Sequence, residues 1–209
     1  LTFIASSNVI LQNNLTTVFV DVHQQYYNID PAQIEKLITS KTRAIMVVHL
    51  FGQPADMEPI MKIAHQYNLK VIEDSCETMY ARYHGKPVGS FGDIACFSTY
   101  ACHIICTGVG GLAVTNDNEL AVLLRSLANH GRDSIYLSMD DDKTDDREKL
   151  NMIMSRRFNF IRMGYSYRAT EMEAALGMAQ IEEIDENLRR RKEHAAFLSA
   201  HLQKWGLFL

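Results

Sequence analysis

Two short stretches carry the residue types that do chemistry. The first is VIEDSCE, residues 71–77, where an apolar run ends in Glu73 and Asp74 and continues through Cys76 to Glu77. A carboxylate closing an apolar strand sits in a partly buried mouth, and a buried charge without a partner is strongly disfavoured. Arg82 or His84 could supply that partner from within the chain, and a bound cofactor carrying a protonatable nitrogen is the alternative. The second stretch is FSTYACHIICTGVGG, residues 97–111, with hydroxyls at Ser98 and Thr99, an imidazole at His103, and glycines at 108, 110 and 111. Hydroxyls and glycine amides at a sheet edge can hold a phosphate, although the pattern matches neither the nucleotide P-loop nor G-x-G-x-x-G. An imidazole suits general-base work. A metal site built from His103 with Cys76, Cys102 and Cys106 lacks any standard zinc spacing, and adjacent Cys102 and His103 point to opposite sides of an extended segment. No metal is expected. A nucleophilic Cys76 paired with histidine would lack an oxyanion-hole motif.

These residues need a scaffold, and the pattern predicts one in which strands and helices alternate. TTVFVDV (16–22) reads as a strand, and IDPAQIEKLI after it as a helix with Asp30 as N-cap and Pro31 at the first helical position. RAIMVVHLF (43–51) is a buried strand followed by the helical spacing of DMEPIMKIAHQYN, and LKVIEDS (69–75) is a third buried strand. RYHGKPVG reads as a hairpin that leaves Lys86 on the surface. DIACFS (93–98) and GGLAVT (110–115) are two more strands, and a helix over NDNELAVLLRSLANHG is capped near Asn116 and stopped by Gly131. The acidic SMDDDKTDDREK (138–149) reads as a surface loop. From Thr170 the chain is helical, opening on the capping-box pattern Thr170-x-x-Glu173. The alternation predicts an α/β fold with a mostly parallel sheet, in which ligands sit beyond the carboxyl ends of the strands. That rule selects His49, Asp74 through Glu77, and Ser98 through His103.

Composition narrows the function classes. A formal charge of −4 over 209 residues gives no electrostatic reason to expect nucleic acid, and the run Arg189 to Lys192 lies in a charged helical pattern that reads as a solvated face. No apolar run approaches the ~18 residues that cross a bilayer, and no leader pattern opens the chain, so a cytoplasmic protein without membrane contact is expected. Four cysteines without framework spacing read as reduced thiols. LTFIASSNVI begins inside an apolar pattern and WGLFL follows a long helix, so the chain reads as the middle of a larger protein.

The motifs TFIASSNVI, FVDV, YNIDPAQIEKLIT, HLFGQPADM, VIEDSCET, GKPVGSFGDIACFS, GGLAVTND, NHGRD and GYSYRATEMEAALGMAQIEEID, in this order and spacing, resemble the DegT/StrS-type sugar-nucleotide aminotransferases. The resemblance implies an aspartate-aminotransferase-like large domain, its mostly parallel central sheet flanked by helices, over 1–175. Over 176–209 it implies a long connecting helix leading into a small domain. It implies pyridoxal or pyridoxamine 5′-phosphate as cofactor, with Asp74 pairing with the pyridine nitrogen so that the ring absorbs carbanion charge. By the same resemblance Glu77 lies near the ring hydroxyl, where the family usually has Gln or His. Phe3 stacks on the ring and Ser98 binds the phosphate. Ser166 stands where the family's asparagine reaches the phosphate of a neighbouring subunit, beside Arg168 of a common variant, which implies a homodimer with a shared site.

One position departs. Family members read F-S-x-x-x-x-K, with the lysine as Schiff-base residue and proton shuttle, and here His103 holds that place. The same replacement marks the 3-dehydratases of the colitose and ascarylose pathways, which hold the cofactor noncovalently as pyridoxamine phosphate and act on nucleotide-linked 4-keto-6-deoxysugars. The resemblance therefore implies 3-dehydration of a nucleotide sugar with His103 as general base and glutamate as amino donor. The alternatives are a sugar aminotransferase with an unusual site and a non-catalytic nucleotide-sugar-binding homologue. Ile104 and Val109 stand where those dehydratases carry a second histidine and a glutamate. Cys76 matches one ligand of the ascarylose enzyme's iron–sulfur cluster, but no cysteine follows Cys106, so no cluster is expected.

Overall fold

A computed structural model describes residues 1–133, 145–156 and 158–206. Two compact units divide the chain, one of Leu1–Ser98 with Gly111–Arg168, the other of Thr99–Gly110 with Ala169–Leu209.

The first unit opens with helix α1 (Ile4–Gln12), which has Phe3 at its N-cap. Asp30 caps α2 (Pro31–Ile34) by accepting the Ala32 amide, and a single 3₁₀ turn over Glu35–Leu37 ends the helix early. Strand β1 (Ala44–Val48), helix α3 (Met57–Gln66) and strand β2 (Lys70–Asp74) follow. A hairpin of β3 (Arg82–Tyr83) and β4 (Lys86–Pro87) precedes β5 (Ile94–Ser98) and β6 (Gly111–Val114). Helices α4 (Asn118–Ala128) and α5 (Arg147–Arg156) complete the unit.

The four-stranded sheet runs β1-β2-β5-β6, with β1, β2 and β5 parallel and β6 antiparallel to β5. Its α/β class is the one the alternation predicts. Packing explains why the order holds. Ile45 and Val47 of β1 and Val71 of β2 point to one face at period two, and Met57, Ile60 and Ala64 of α3 present a stripe at helical spacing to meet them. Each large apolar side chain buried there contributes about 1.5–3 kcal/mol.

Several expectations change. TTVFVDV is not a ladder strand: β-branched residues favour extended backbone, but pairing needs a neighbour, and among the described residues only a bridge between Val22 and Ile29 forms. The cap of α4 is Asp117 rather than Asn116, because the Asp117 carboxylate reaches the amides of both Glu119 and Leu120. Of the expected 138–149 loop, residues 138–144 lie outside the described residues, and Arg147–Lys149 are helical, their first turn entered through Asp146 Oδ1 accepting the Glu148 and Lys149 amides. The hairpin is present as expected, with Lys86 exposed and its ammonium 4.5 Å from the Phe91 ring centroid.

In the second unit, Thr170 and Glu173 form the capping box of α6 (Glu171–Glu182), and a break at Glu183 separates it from α7 (Ile184–Lys204). Residues 99–110 fold as a turn closed at its base, where the Thr99 amide donates to the Gly110 carbonyl and the Thr107 amide to the Thr99 carbonyl. The Thr107 hydroxyl donates to Thr99 Oγ1 at 2.7 Å, and Ile105 is buried.

Candidate active site

Adjacent carboxylates at the end of β2 face opposite sides of the sheet. Glu73 is fully buried and Asp74 half-buried, as strand alternation requires. The Glu73 carboxylate accepts four hydrogen bonds, from His49 Nε2 at 3.1 Å and from the backbone amides of Gly89, Phe91 and Gly92 at 2.8, 2.8 and 2.6 Å. His49 is equally buried, and its Nδ1 accepts the Ala55 amide at 3.0 Å, which places the ring hydrogen on Nε2, pointing at Glu73. Burial alone would raise the Glu73 pKa, but the bonds from His49 and the three amides outweigh it and hold it below the ordinary glutamate value. The expected partners, Arg82 and His84, are not used. Arg82 donates to the Gly85 carbonyl and His84 stacks on Tyr83, because the hairpin turns both toward solvent while the following turn offers its amides to the acid. Glycine at 92 is required there, since a Cβ would stand 2.6 Å from the Val71 carbonyl oxygen.

Asp74 is held differently. Its Oδ2 accepts the Ser6 hydroxyl at 2.8 Å, and its Oδ1 accepts the Cys76 amide at 3.3 Å. Both donors are neutral, and no cationic side chain forms an ion pair with Asp74 among the described residues. A half-buried carboxylate with its charge uncompensated, at the carboxyl end of a parallel strand, fits a ligand bearing a protonated ring nitrogen. Ser6 lies one turn into α1, so the segment headed by Phe3 is anchored at this strand end, where Phe3 itself is exposed.

Glu77 accepts the Phe51 amide at 2.5 Å. Phe51 has φ +57° and Gly52 φ +79°, so the turn leaving β1 is left-handed at two consecutive residues, an unusual cost for an aromatic residue. Asn28 steadies the same turn by accepting the Leu50 amide and donating to the Gln53 carbonyl. Ser98 ends β5 opposite Gly111, two residues beyond the Cys96 that pairs with Asp74 across the β2–β5 register. Ser166 bridges Asn129, and Arg168 Nη2 donates to Ser166 Oγ at 3.3 Å. In the second unit, His103 is half-buried, its amide donating to the Tyr100 carbonyl at 3.0 Å.

The thiols are free, and burial, then the neighbouring Asp74 carboxylate, pushes those of Cys76 and Cys96 upward, which argues against a cysteine nucleophile. Among the described residues no cluster of ligands could hold a metal ion, and no helix is long and apolar enough to cross a membrane. Two grooves lie away from these residues. One of about 560 Å³ runs between α3 and the hairpin, and one of about 620 Å³ lies around Thr39, Arg43 and Tyr67.

Sequence reasoning missed Ser6 and the link between His49 and Glu73. Ser6 carries no local signal, since its partner is 68 residues away. His49 was visible as a strand-end residue, but its pairing depends on the β1–β2 register.

A model of the DegT/DnrJ/EryC1/StrS aminotransferase family matches residues 1–209. The chain belongs to that family. GDP-perosamine synthase of Caulobacter vibrioides is 40% identical over 206 residues, covering 99% of this chain and 50% of that relative. Among solved structures, an aminotransferase from Psychrobacter cryohalolentis superposes with TM-score 0.84 at 34% identity, covering 98% of this chain and 50% of that one. A GDP-4-keto-6-deoxy-D-mannose-3-dehydratase of E. coli with bound hydrated PLP gives TM-score 0.82 at 27% identity, covering 97% and 51%. This family member spans about half the length of the curated relatives it matches.

Proposed function

We propose that the protein is a vitamin-B6-dependent enzyme that modifies a nucleotide-linked 4-keto-6-deoxysugar, working with noncovalent pyridoxamine phosphate to remove the 3-hydroxyl. The observation that supports this reading is that the segment 97–111 contains His103 and no lysine, where the resemblance implies the family's Schiff-base residue. An imidazole forms no stable covalent link to an aldehyde but accepts and returns a proton near neutrality. When bound, the cofactor supplies an amine to the sugar ketone and a ring that delocalises the charge left by proton removal. The rest falls to the chain. Asp74 keeps the ring nitrogen protonated, Phe3 covers the ring face, Glu77 lies at the ring hydroxyl, and Ser98 holds the phosphate. His103 takes the proton as the hydroxyl leaves. Ser166 and Arg168 reach the phosphate of a second copy in a homodimer. Exposed apolar side chains such as Met163, 92% exposed, support burial against another chain.

A second reading is transamination with glutamate. Ile104 and Val109, in place of the dehydratases' histidine and glutamate, favour it, as does the perosamine synthase relative. The test is to incubate the protein with pyridoxamine phosphate, glutamate and a panel of 4-keto-6-deoxy nucleotide sugars and weigh the products. A product lacking the 3-hydroxyl is expected. A 4-amino product supports transamination instead, and binding without turnover supports a sensor. His103→Lys should restore a covalent link to pyridoxal phosphate, visible by reductive trapping with borohydride.

A further inference from the structure

Asp74 is not free to orient itself. Ser6 Oγ donates to its Oδ2 at 2.8 Å, and the same Ser6 oxygen lies 2.8 Å from Thr2 Oγ1. A hydroxyl carries one hydrogen. With that of Ser6 committed to the carboxylate, the Thr2 hydroxyl must be the donor in its contact with Ser6, so the chain of bonds is polarised toward Asp74. Helix α1 does not need this serine, since serine is a poorer helix former than alanine. Its neighbour Ser7 makes the local bond common in helices, to the Ile4 carbonyl, whereas Ser6, only 9% exposed, reaches across 68 residues to a strand end. The bond from the Cys76 amide to Oδ1 is longer, at 3.3 Å.

We propose that Ser6, backed by Thr2, is a positioning residue that fixes the orientation of Asp74 and so holds its carboxylate facing the ring nitrogen of the cofactor. This rests on the assignment of Asp74 to that nitrogen under Proposed function. A carboxylate held facing the ring nitrogen stabilises its protonated form, which the delocalising ring requires, and a carboxylate free to turn away stabilises it less. A hydroxyl bonded to a charged group shifts such a balance by about tenfold or more, equivalent to roughly one pH unit.

The experiment binds pyridoxamine phosphate labelled with ¹⁵N in the ring to the wild-type protein and to Ser6→Ala, Ser6→Thr, Thr2→Val and Asp74→Asn. The ring-nitrogen resonance is followed against pH, and the dissociation constant is measured by fluorescence. Ser6→Ala should lower the pH at which the nitrogen loses its proton by about one unit while weakening binding only a few-fold. Ser6→Thr, which keeps the hydroxyl, should titrate as wild type, and Thr2→Val should shift the same way as Ser6→Ala by less. A merely structural role would alter stability or affinity without moving this titration. If Asp74→Asn moves it and Ser6→Ala does not, the proposal is overturned. If Asp74→Asn also leaves it unmoved, the assignment of Asp74 itself falls. Should Ser6→Ala not fold, an unshifted Thr2→Val overturns the proposal in its place.

Discussion

Glu73 and Asp74 are neighbours on one strand, yet they live in opposite regimes. Glu73 faces the packed side, where four donors saturate its charge and no solvent reaches it. Asp74 faces the strand-end mouth with neutral donors only, and no cationic side chain pairs with it among the described residues. The structural acid is recognised by its full set of donors, the acid proposed to bind a ligand by having only neutral ones. Type and position in the sequence are nearly identical for the two. Only the surroundings distinguish them.

Substitutions can break that distinction. The largest loss of stability is expected from Glu73→Ala, which strands three amides and His49 in a dry site. About 3–5 kcal/mol should disappear from the unfolding free energy measured in urea. His49→Ala should follow at about 2–3 kcal/mol, because it removes the acceptor of the Ala55 amide and one of Glu73's donors but leaves the three amides in place. The pH dependence sharpens the comparison. Since the folded-state pKa of Glu73 lies below its ordinary 4.5, the folded protein binds fewer protons there than the unfolded chain. Its contribution is full above about pH 4.5 and is lost as pH falls through the lower folded value, so Glu73→Gln should flatten the acid limb of a thermal-melt series. The smallest stability change belongs to Asp74→Asn, under about 1 kcal/mol, while its affinity for pyridoxamine phosphate falls most of all. A Glu73→Ala protein as stable as Asp74→Asn would erase the contrast.

Local signals carried most of the fold. Asp30 with Pro31, and Thr170 with Glu173, named their caps because capping is decided within four residues. The apolar periods of 43–51, 56–68 and 69–75 named β1, α3 and β2. Signals that depend on a neighbour failed. TTVFVDV has strand composition but needs a partner to become a strand, and Asn116 and Asp117 are equivalent caps until the backbone chooses which side chain reaches the amides. The candidate residues divide the same way. Asp74, Ser98 and His103 were visible from strand ends and motif spacing, whereas Ser6 and the turn of Gly89 to Gly92 act on β2 from far along the chain, and no local pattern encodes such meetings. The helical start at Arg147 was hidden by its acidic composition, which suits a first turn as well as a loop.

The β1–β2 register sets Val47 beside Glu73 and Val48 beside Asp74. A slip by one residue would exchange the faces, turning the acid that demands four donors toward the mouth and driving the other into a dry interior without any. Such a mispaired chain carries two faults at once and gains no compensation. The paired acids therefore act as a checksum on the sheet: the native register is the one that gives each carboxylate its own surroundings.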